Sequence, residues 1–485
     1  MNVLDFLLVN STAYSALKFY NLFLPAIIGG GIGGTSTAHF LIDLFGRKNI
    51  DIDIYEANKI GGRLATAKVG DFEYETGGSV IHTSNKYMED LISTLGLRKR
   101  SHCSSQENFG LYDGSKFVFM ESDWSWVTMI KLAWRYGFSL SKITDNIDTM
   151  LSRFARIYEL QANHKTFTTV HDMLHAMDPS FPAMMKKTTF NGFVRDGISP
   201  KIIDELVMAS LLCNYGQDTN VHQFVGSVSM AAVQGSLFSV SGGNKGVAEK
   251  VISHHKLNVI HSKVLKVIYE KDVHRFGVNY VGSGKESSTK DYDFVVLAAP
   301  LTHDLSKLQC LNLPDGAKKC SQRGTYHRTV STIVEGKVNS NFFESMKEDE
   351  LPVDILLTNK SVFFRSFSRI KPVSTNNSGS CGPPVYKVFS PKPLTDQELK
   401  VLFKEIKSVQ VSDWLAYPEY DEAFAADNFV LYDRFYYLNA IESAASAMEM
   451  SAISAKNIAL LVHASWTKAK PVEHLNNGRL KDEFR

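Results

Sequence analysis

Residues 23–56 spell out one supersecondary unit. An apolar stretch at 23–28 runs into Gly29-Gly30-Gly31-Ile32-Gly33-Gly34, residues 35–45 have helical spacing, and a second apolar run at 50–55 ends in Glu56. Strand, glycine turn, helix, strand and acid, in that order, form a βαβ dinucleotide-binding half. Pro25 cannot donate to a central parallel strand, so the first strand is shortened to 26–28. Gly29 permits the tight turn, Gly31 lets backbone approach a pyrophosphate, and Gly34 lets helix and strand pack closely, with Gly33 in the same turn. The helix start then offers free N–H groups and partial positive charge to phosphate. Glu56, 22 residues after Gly34, stands where a carboxylate accepts ribose hydroxyls.

Composition narrows the partners. Lys plus Arg number 53 against 51 acids in 485 residues, a formal charge of +2, and no basic stripe runs through the chain. A nucleic-acid binder needs such a footprint, so none is expected. The five cysteines lie far apart with no Cys-x-x-Cys, which supports no metal site and no disulfide-built scaffold. No apolar window is long enough to span a bilayer. Residues 1–18 carry Asp5 and no early basic residue, a poor signal peptide. Sequons stand at Asn10, Asn359 and Asn376. The length suggests two to four domains.

The residues after the acid decide which dinucleotide is bound. Gly61-Gly62-Arg63 comes directly after it, then Gly77-Gly78-Ser79. Two further glycine doublets imply more close backbone approach, and Arg63 is suited to pair with phosphate. A nicotinamide-only domain has no use for these features, whereas a long, fixed FAD does.

Further along, residues 124–234 change to dense aromatic residues at helical spacing and read as a helical insertion. Strand-like runs return at 258–268, 275–281 and 292–299, and several more at 325–390. Residues 441–462 are small and apolar nearly all round, the pattern of a buried helix.

The glycine fingerprint, acid, Gly-Gly-Arg and Gly-Gly-Ser together resemble the FAD-binding half of amine-oxidase-like flavoproteins. Within them the chain is similar to the prenylcysteine oxidase family, including its oxidase-like branch. The identifying strings are Gly61-Gly62-Arg63-Leu64-Ala65-Thr66, Gly77-Gly78-Ser79-Val80-Ile81-His82, Trp134-Arg135-Tyr136-Gly137, Asn214-Tyr215-Gly216-Gln217, Trp414-Leu415-Ala416-Tyr417-Pro418 and the run from Tyr437 to Met450. The resemblance implies an α/β fold: a Rossmann-type FAD domain built from 22–100, 240–310 and 425–470, interleaved with an α+β substrate domain from 101–239 and 311–424.

The same resemblance implies the chemistry. Hydride passes from the prenyl C1 of a farnesyl- or geranylgeranyl-cysteine to flavin N5. Water then adds, and the products are cysteine, a prenyl aldehyde and, with O2, hydrogen peroxide. Val264, ending a strand that meets adenine, and Asn439, Glu442 and Met448 in the C-terminal string are implied cofactor contacts. The start of the 441–462 helix, at 439–443, is expected at the flavin's pyrimidine end, a plain core helix being the alternative. Glu449 in that run needs a partner if buried.

His82 is the one candidate catalytic side chain, to steer or deprotonate the attacking water, against an ordinary structural histidine. Cys213 reads as a small core residue rather than a reactive thiol. Trp124, Trp126, Trp134, Tyr136 and Phe138 suit a prenyl tunnel, plain core or a membrane-surface face, and core is favoured on spacing. Rival functions are another flavin oxidase or desaturase of an apolar amine or isoprenoid, and a non-catalytic lipid- or lipoprotein-associated carrier. Peripheral membrane or lipoprotein association and a lysosomal or secreted location follow from the resemblance. Oligomeric state leaves no mark on the sequence.

Overall fold

The computed structural model describes residues 22–100, 108–231, 236–282, 286–302, 307–318, 320, 324–374, 382–420 and 428–469. The N-terminal segment, the sequons at Asn10 and Asn376, and Cys103 and Cys381 lie outside them.

The strand Pro25–Ile28 is buried along its whole length and lies inside a six-stranded sheet. Its parallel neighbours are Asp53–Glu56 on one side and Phe294–Leu297 on the other. Asn258–His261 adds beyond the first, and Phe435–Tyr437 and Val430–Tyr432 beyond the second. One sheet thus draws strands from three separated stretches of chain. Continuous apolar runs suit these strands because helices cover a parallel sheet. The Ile32–Phe45 helix is buried from Ile32 to Ile42, and the Met448–Ala469 helix packs along it. Pro25 is the first residue of its strand, where its missing N–H costs least.

A four-stranded sheet follows, built from Lys263–Glu270, Arg275–Val281, Ser287–Tyr292 and Gln309–Leu311. The single strand expected over 292–299 is two elements. Ser287–Tyr292 belongs to the four-stranded sheet and Phe294–Leu297 to the six-stranded one. The corner is Asp293, whose N–H bonds Leu24 O (2.9 Å) and whose carboxylate accepts Leu24 N–H (3.0 Å).

A seven-stranded sheet runs in the order Phe403–Pro418, Tyr326–Val338, Val385–Ser390, Ser366–Ile370, Asp354–Leu357, Phe109–Tyr112, Phe117–Met120. Between its early and late strands lie the helices from Ser125–Tyr136 to Gln223–Ala231. One face of this sheet carries Val334, Phe367, Tyr386 and Val388 into an apolar core. The other face has a different character and forms one wall of the site.

The helix expected over 441–462 is also divided. Leu438–Ser443 is a 3-10 helix, and the α-helix begins at Met448. Tight local bonds end the first piece, Ala444 N–H to Ile441 O (3.0 Å) and Ser443 Oγ to Ala440 O (2.8 Å). The free N–H groups of the long helix therefore lie at Met448 and the residues after it, not at Asn439 to Ser443.

Candidate dinucleotide and substrate site

The glycine turn is shaped by close contacts. A Cβ on Gly34 would lie 2.0 Å from Gly29 O, so only glycine lets this helix approach its strand. A Cβ on Gly31 would meet nothing nearer than Gly61 O at 3.8 Å, which leaves a shallow cradle beside the helix start. Gly31 caps that helix without a side-chain bond, and no acid stands in its first turn. Donors without a local acceptor, in a cradle that a side chain would fill, are what a pyrophosphate fits.

Glu56 closes the turn from below. Its Oε2 accepts Gly30 N–H (2.8 Å) and its Oε1 accepts Asn58 N–H (2.7 Å). An ionised carboxylate has about four acceptor positions, so these bonds fix the group and leave room for ribose hydroxyls. Gly61 N–H bonds Gly30 O (3.0 Å), which brings the Gly61-Gly62 doublet beside the turn. The buried Val264 lies just beyond, where Ser262 N–H bonds Glu56 O (3.0 Å).

Arg63 differs from its expected role. Its guanidinium is held by Glu442, Ala416 O (2.6 Å) and Ser446 Oγ (3.2 Å) rather than standing free for phosphate. Glu442 is buried and also accepts Tyr326 O–H and Asn439 Nδ2–H (2.9 Å). Burial alone would lower the Arg63 pKa, but Glu442 beside it wins and raises it. The residues named for the flavin, Asn439 and Glu442, thus form a buried ion-pair network with Arg63. Asn439 Oδ1 stays buried without a partner among the described residues.

The second doublet meets the substrate sheet. Gly78 N–H bonds Arg63 O (3.4 Å), and a Cβ on Gly78 would lie 3.8 Å from Met448 Cε. Gly78, Ser79 and the start of the Met448–Ala469 helix therefore converge. Ser79 Oγ accepts from Lys387 Nζ (3.2 Å), which reaches across from the Val385–Ser390 strand. The register sets Lys387 level with Ile333 and Ser368, and Phe389 level with Ser331 and Ser366. This face is rich in hydroxyls, with Ser331, Ser366 and Lys387 all buried. Ser331 Oγ has no partner among the described residues.

Glu75 completes the cluster. Burial pushes its carboxyl up to about 7, against the Asn244 N–H (2.6 Å) and Lys387, which favour the charged form. Burial lowers the Lys387 pKa in turn, with Glu75 the main opposing charge. Asn244 also donates to Gly78 O (2.9 Å), so the turn before the Lys245–His255 helix ties into the same point.

The chain belongs to the prenylcysteine lyase family. That family's sequence profile matches residues 119–473, and an NAD(P)-binding Rossmann-like profile matches 27–95. Human prenylcysteine oxidase 1 is 37% identical over 454 residues, covering 91% of this chain and 89% of that protein. Mouse prenylcysteine oxidase 1-like is 35% identical over 450 residues, covering 91% and 90%. Among solved structures, cyclohexylamine oxidase from Brevibacterium oxydans has a TM-score of 0.59 at 15% identity, covering 92% of this chain and 100% of that one. Putrescine oxidase bound to putrescine has a TM-score of 0.55 at 14% identity, covering 90% and 98%. The protein is an oxidoreductase with the α/β fold of these amine oxidases.

The other residues singled out in the sequence take the following places. His82 sits on the short strand Ile81–His82, and its Nδ1 accepts Ser84 N–H (3.0 Å), a bond internal to the turn. Glu449 is a cap: it accepts Tyr87 N–H (2.8 Å), Met88 N–H (3.0 Å) and Tyr158 O–H (2.8 Å) at the start of the Lys86–Thr94 helix. Cys213 lines a small cleft with Leu212, Arg365, Phe389 and Tyr417, and burial pushes its thiol up to about 11. The aromatic residues that spacing favoured as core are mostly outside it: Trp134 and Phe138 are each 91% exposed. Tyr136 alone of that group is buried, with its hydroxyl on Glu205 (2.8 Å).

Lys387 and Glu75 escaped the sequence reading. The available signal was a lone lysine inside Val-Tyr-Lys-Val-Phe-Ser, on the same strand face as Phe389. Strand alternation places such a lysine on a face but does not say that the face is covered.

Proposed function

We propose that this protein is an FAD-dependent thioether oxidase of prenylated cysteine. It converts farnesyl- or geranylgeranyl-cysteine, O2 and water into free cysteine, a prenyl aldehyde and hydrogen peroxide. Bound FAD supplies the two-electron acceptor, with O2 as final oxidant. The helix start at Gly31 would hold the pyrophosphate, Glu56 the ribose, the backbone at Val264 the adenine, and the Met448 helix start the pyrimidine end of the ring.

The observation that carries this reading is Lys387. A buried amine with a lowered pKa, oriented by Ser79 beside the Gly77-Gly78 doublet, belongs to a site that handles protons, not to a passive carrier. Oxidation at C1 leaves an electrophilic carbon next to sulfur. Lys387 Nζ, whose charged form burial disfavours, is placed to exchange a proton with the attacking water and with the departing sulfur as the hemithioacetal collapses. Glu75 stands by as the counter-charge. Burial raises its carboxyl to about 7, so it carries that charge only in part near neutrality. Phe389, 4.9 Å under Nζ, and Leu212 and Tyr417 in the adjoining cleft offer apolar contact to the chain.

A lysosomal or secreted location belongs to the same proposal. The Cys310–Cys320 disulfide and an exposed sequon at Asn359 are features of an oxidising secretory route. The deciding experiment mixes purified protein anaerobically with farnesylcysteine, cysteine or a simple amine. Bleaching of the flavin by farnesylcysteine alone is expected, with aldehyde and peroxide in equal amounts once air is admitted. Bleaching by the amine instead would make the protein an amine oxidase. A yellow protein that none of them bleaches would make it a non-catalytic carrier.

A further inference from the structure

The Ser125–Tyr136 helix buries a narrow face and exposes a broad apolar one. Thr128 and Tyr136 point inward. Outward stand Trp124 (67% exposed), Trp126 (63%), Met129 (59%), Ile130 (59%), Trp134 (91%) and Phe138 (91%). Trp126, Ile130 and Trp134 recur every fourth residue and form one stripe on this helix, and Phe138 follows just past its Gly137 C-cap. Apolar side chains of this size are ordinary on a surface when scattered. Concentrated within 15 residues, including three of the chain's five tryptophans, they are not.

Charge gives the face its partner. From Trp124 to Thr144 there are three cations, Lys131, Arg135 and Lys142, and no acid; Asp123 and Asp145 stand just beyond either end. Arg135 is held inside by Glu205 (2.7 Å), while Lys131 on this helix and Lys142 on the next, Ser139–Phe154, are exposed. Tryptophan and phenylalanine flanked by exposed lysines, with low acid content, are the composition of a helix lying in a bilayer interface. No helix among the described residues is long and apolar enough to cross a membrane, which leaves docking rather than spanning.

We propose that this face docks the protein on an anionic lipid bilayer. The helix is fastened to the substrate region through Glu205, which accepts from both Arg135 and Tyr136. Glu205 sits in a π turn, Ile203–Val207, continued by the Met208–Tyr215 helix that brings Leu212 and Cys213 to the cleft. From Glu205 to Cys213 that rod rises roughly 12 Å. Docking would hold the cleft close to a membrane from which a prenylated substrate is drawn. That benefit rests on the proposed function, while the docking itself does not.

The test uses the full-length holoprotein and sedimentation with phosphatidylcholine vesicles, with and without about 30 mol % phosphatidylserine. Binding to the anionic vesicles with a blue shift of tryptophan emission is expected. Trp126→Ser with Trp134→Ser and Phe138→Ser should lower partitioning roughly tenfold or more. Lys131→Glu with Lys142→Glu should lose on the order of tenfold on the anionic vesicles and little on the neutral ones. Both variants should keep the wild-type circular dichroism and the wild-type turnover of a soluble short-chain prenylcysteine. Wild-type protein that ignores both vesicles, or an aromatic variant that binds as well as wild type, overturns the proposal. So does a wild-type dimer that the aromatic variant abolishes, since a second copy would then cover the face. Vesicle binding is read without turnover, so the loss of one reading leaves the other standing.

Discussion

Glu449 makes the stability of this protein depend on pH in a direction opposite to most carboxylates. It is 4% exposed and caps the Lys86–Thr94 helix, and burial pushes its carboxyl from 4.5 up to about 7. A folded-state value above the unfolded one gives a contribution fully present below 4.5 and lost as the pH rises through 7. That difference is worth about 3 kcal/mol. Glutamine resembles the protonated acid but cannot accept the Met88 N–H with its amide nitrogen, at a cost of about 1 kcal/mol. Glu449→Gln should therefore be about 1 kcal/mol less stable than wild type near pH 4, below the unfolded value, and about 2 kcal/mol more stable near pH 8. Urea unfolding followed by far-ultraviolet circular dichroism at both pH values measures the gap. Glu75, raised in the same way, and His222, lowered by burial to about 4, act equally on both proteins and cancel. A gap that stays constant from about pH 4 to about pH 8 would refute the reasoning, because the buried charge would then cost nothing.

Three other perturbations reach the site. Gly34→Ala must push Gly29 O away from a Cβ only 2.0 Å off, at a cost of at least about 3 kcal/mol, so the purified variant should carry far less flavin per chain by its visible absorbance. Lys387→Met should keep its flavin but lose about 10²- to 10⁴-fold in kcat for farnesylcysteine. The acid limb of the wild-type kcat profile, set below the ordinary lysine range by burial, should vanish with it; an unchanged profile would acquit Lys387. Arg63→Met strands the buried Glu442 and should cost about 3–5 kcal/mol in urea unfolding. Glu442→Gln leaves Arg63 its bonds to Ala416 and Ser446 and should cost less; equal losses would contradict the asymmetry.

Local spacing was enough to read the βαβ unit. Glycine, proline and the apolar period act on backbone dihedrals within a few residues, so the turn at 29–34, the helix after it and the acid at 56 follow from the order of residues alone. The same holds for the helical insertion at 124–234 and for most strands after it. Propensity misjudged the 441–462 run, because nothing in an alanine-rich stretch signals that Leu438–Ser443 must tighten into a 3-10 turn and bring Glu442 to Arg63. A buried ion pair across 379 positions overrode a local preference for helix.

The site divides along the same line. By itself, the sequence determined the first glycine turn with an acid beside it, since those are short-range demands of backbone on backbone. Only the tertiary structure decided which charges meet. Lys387 reaches Ser79 across 308 positions, Glu75 becomes a high-pKa carboxyl only when covered, and Arg63 finds a carboxylate rather than standing open. Spacing likewise favoured the core for the aromatic residues at 124–138, whereas in the fold all but Tyr136 face outward. A pattern fixes which side chains share a face; what covers that face depends on the packing of distant elements.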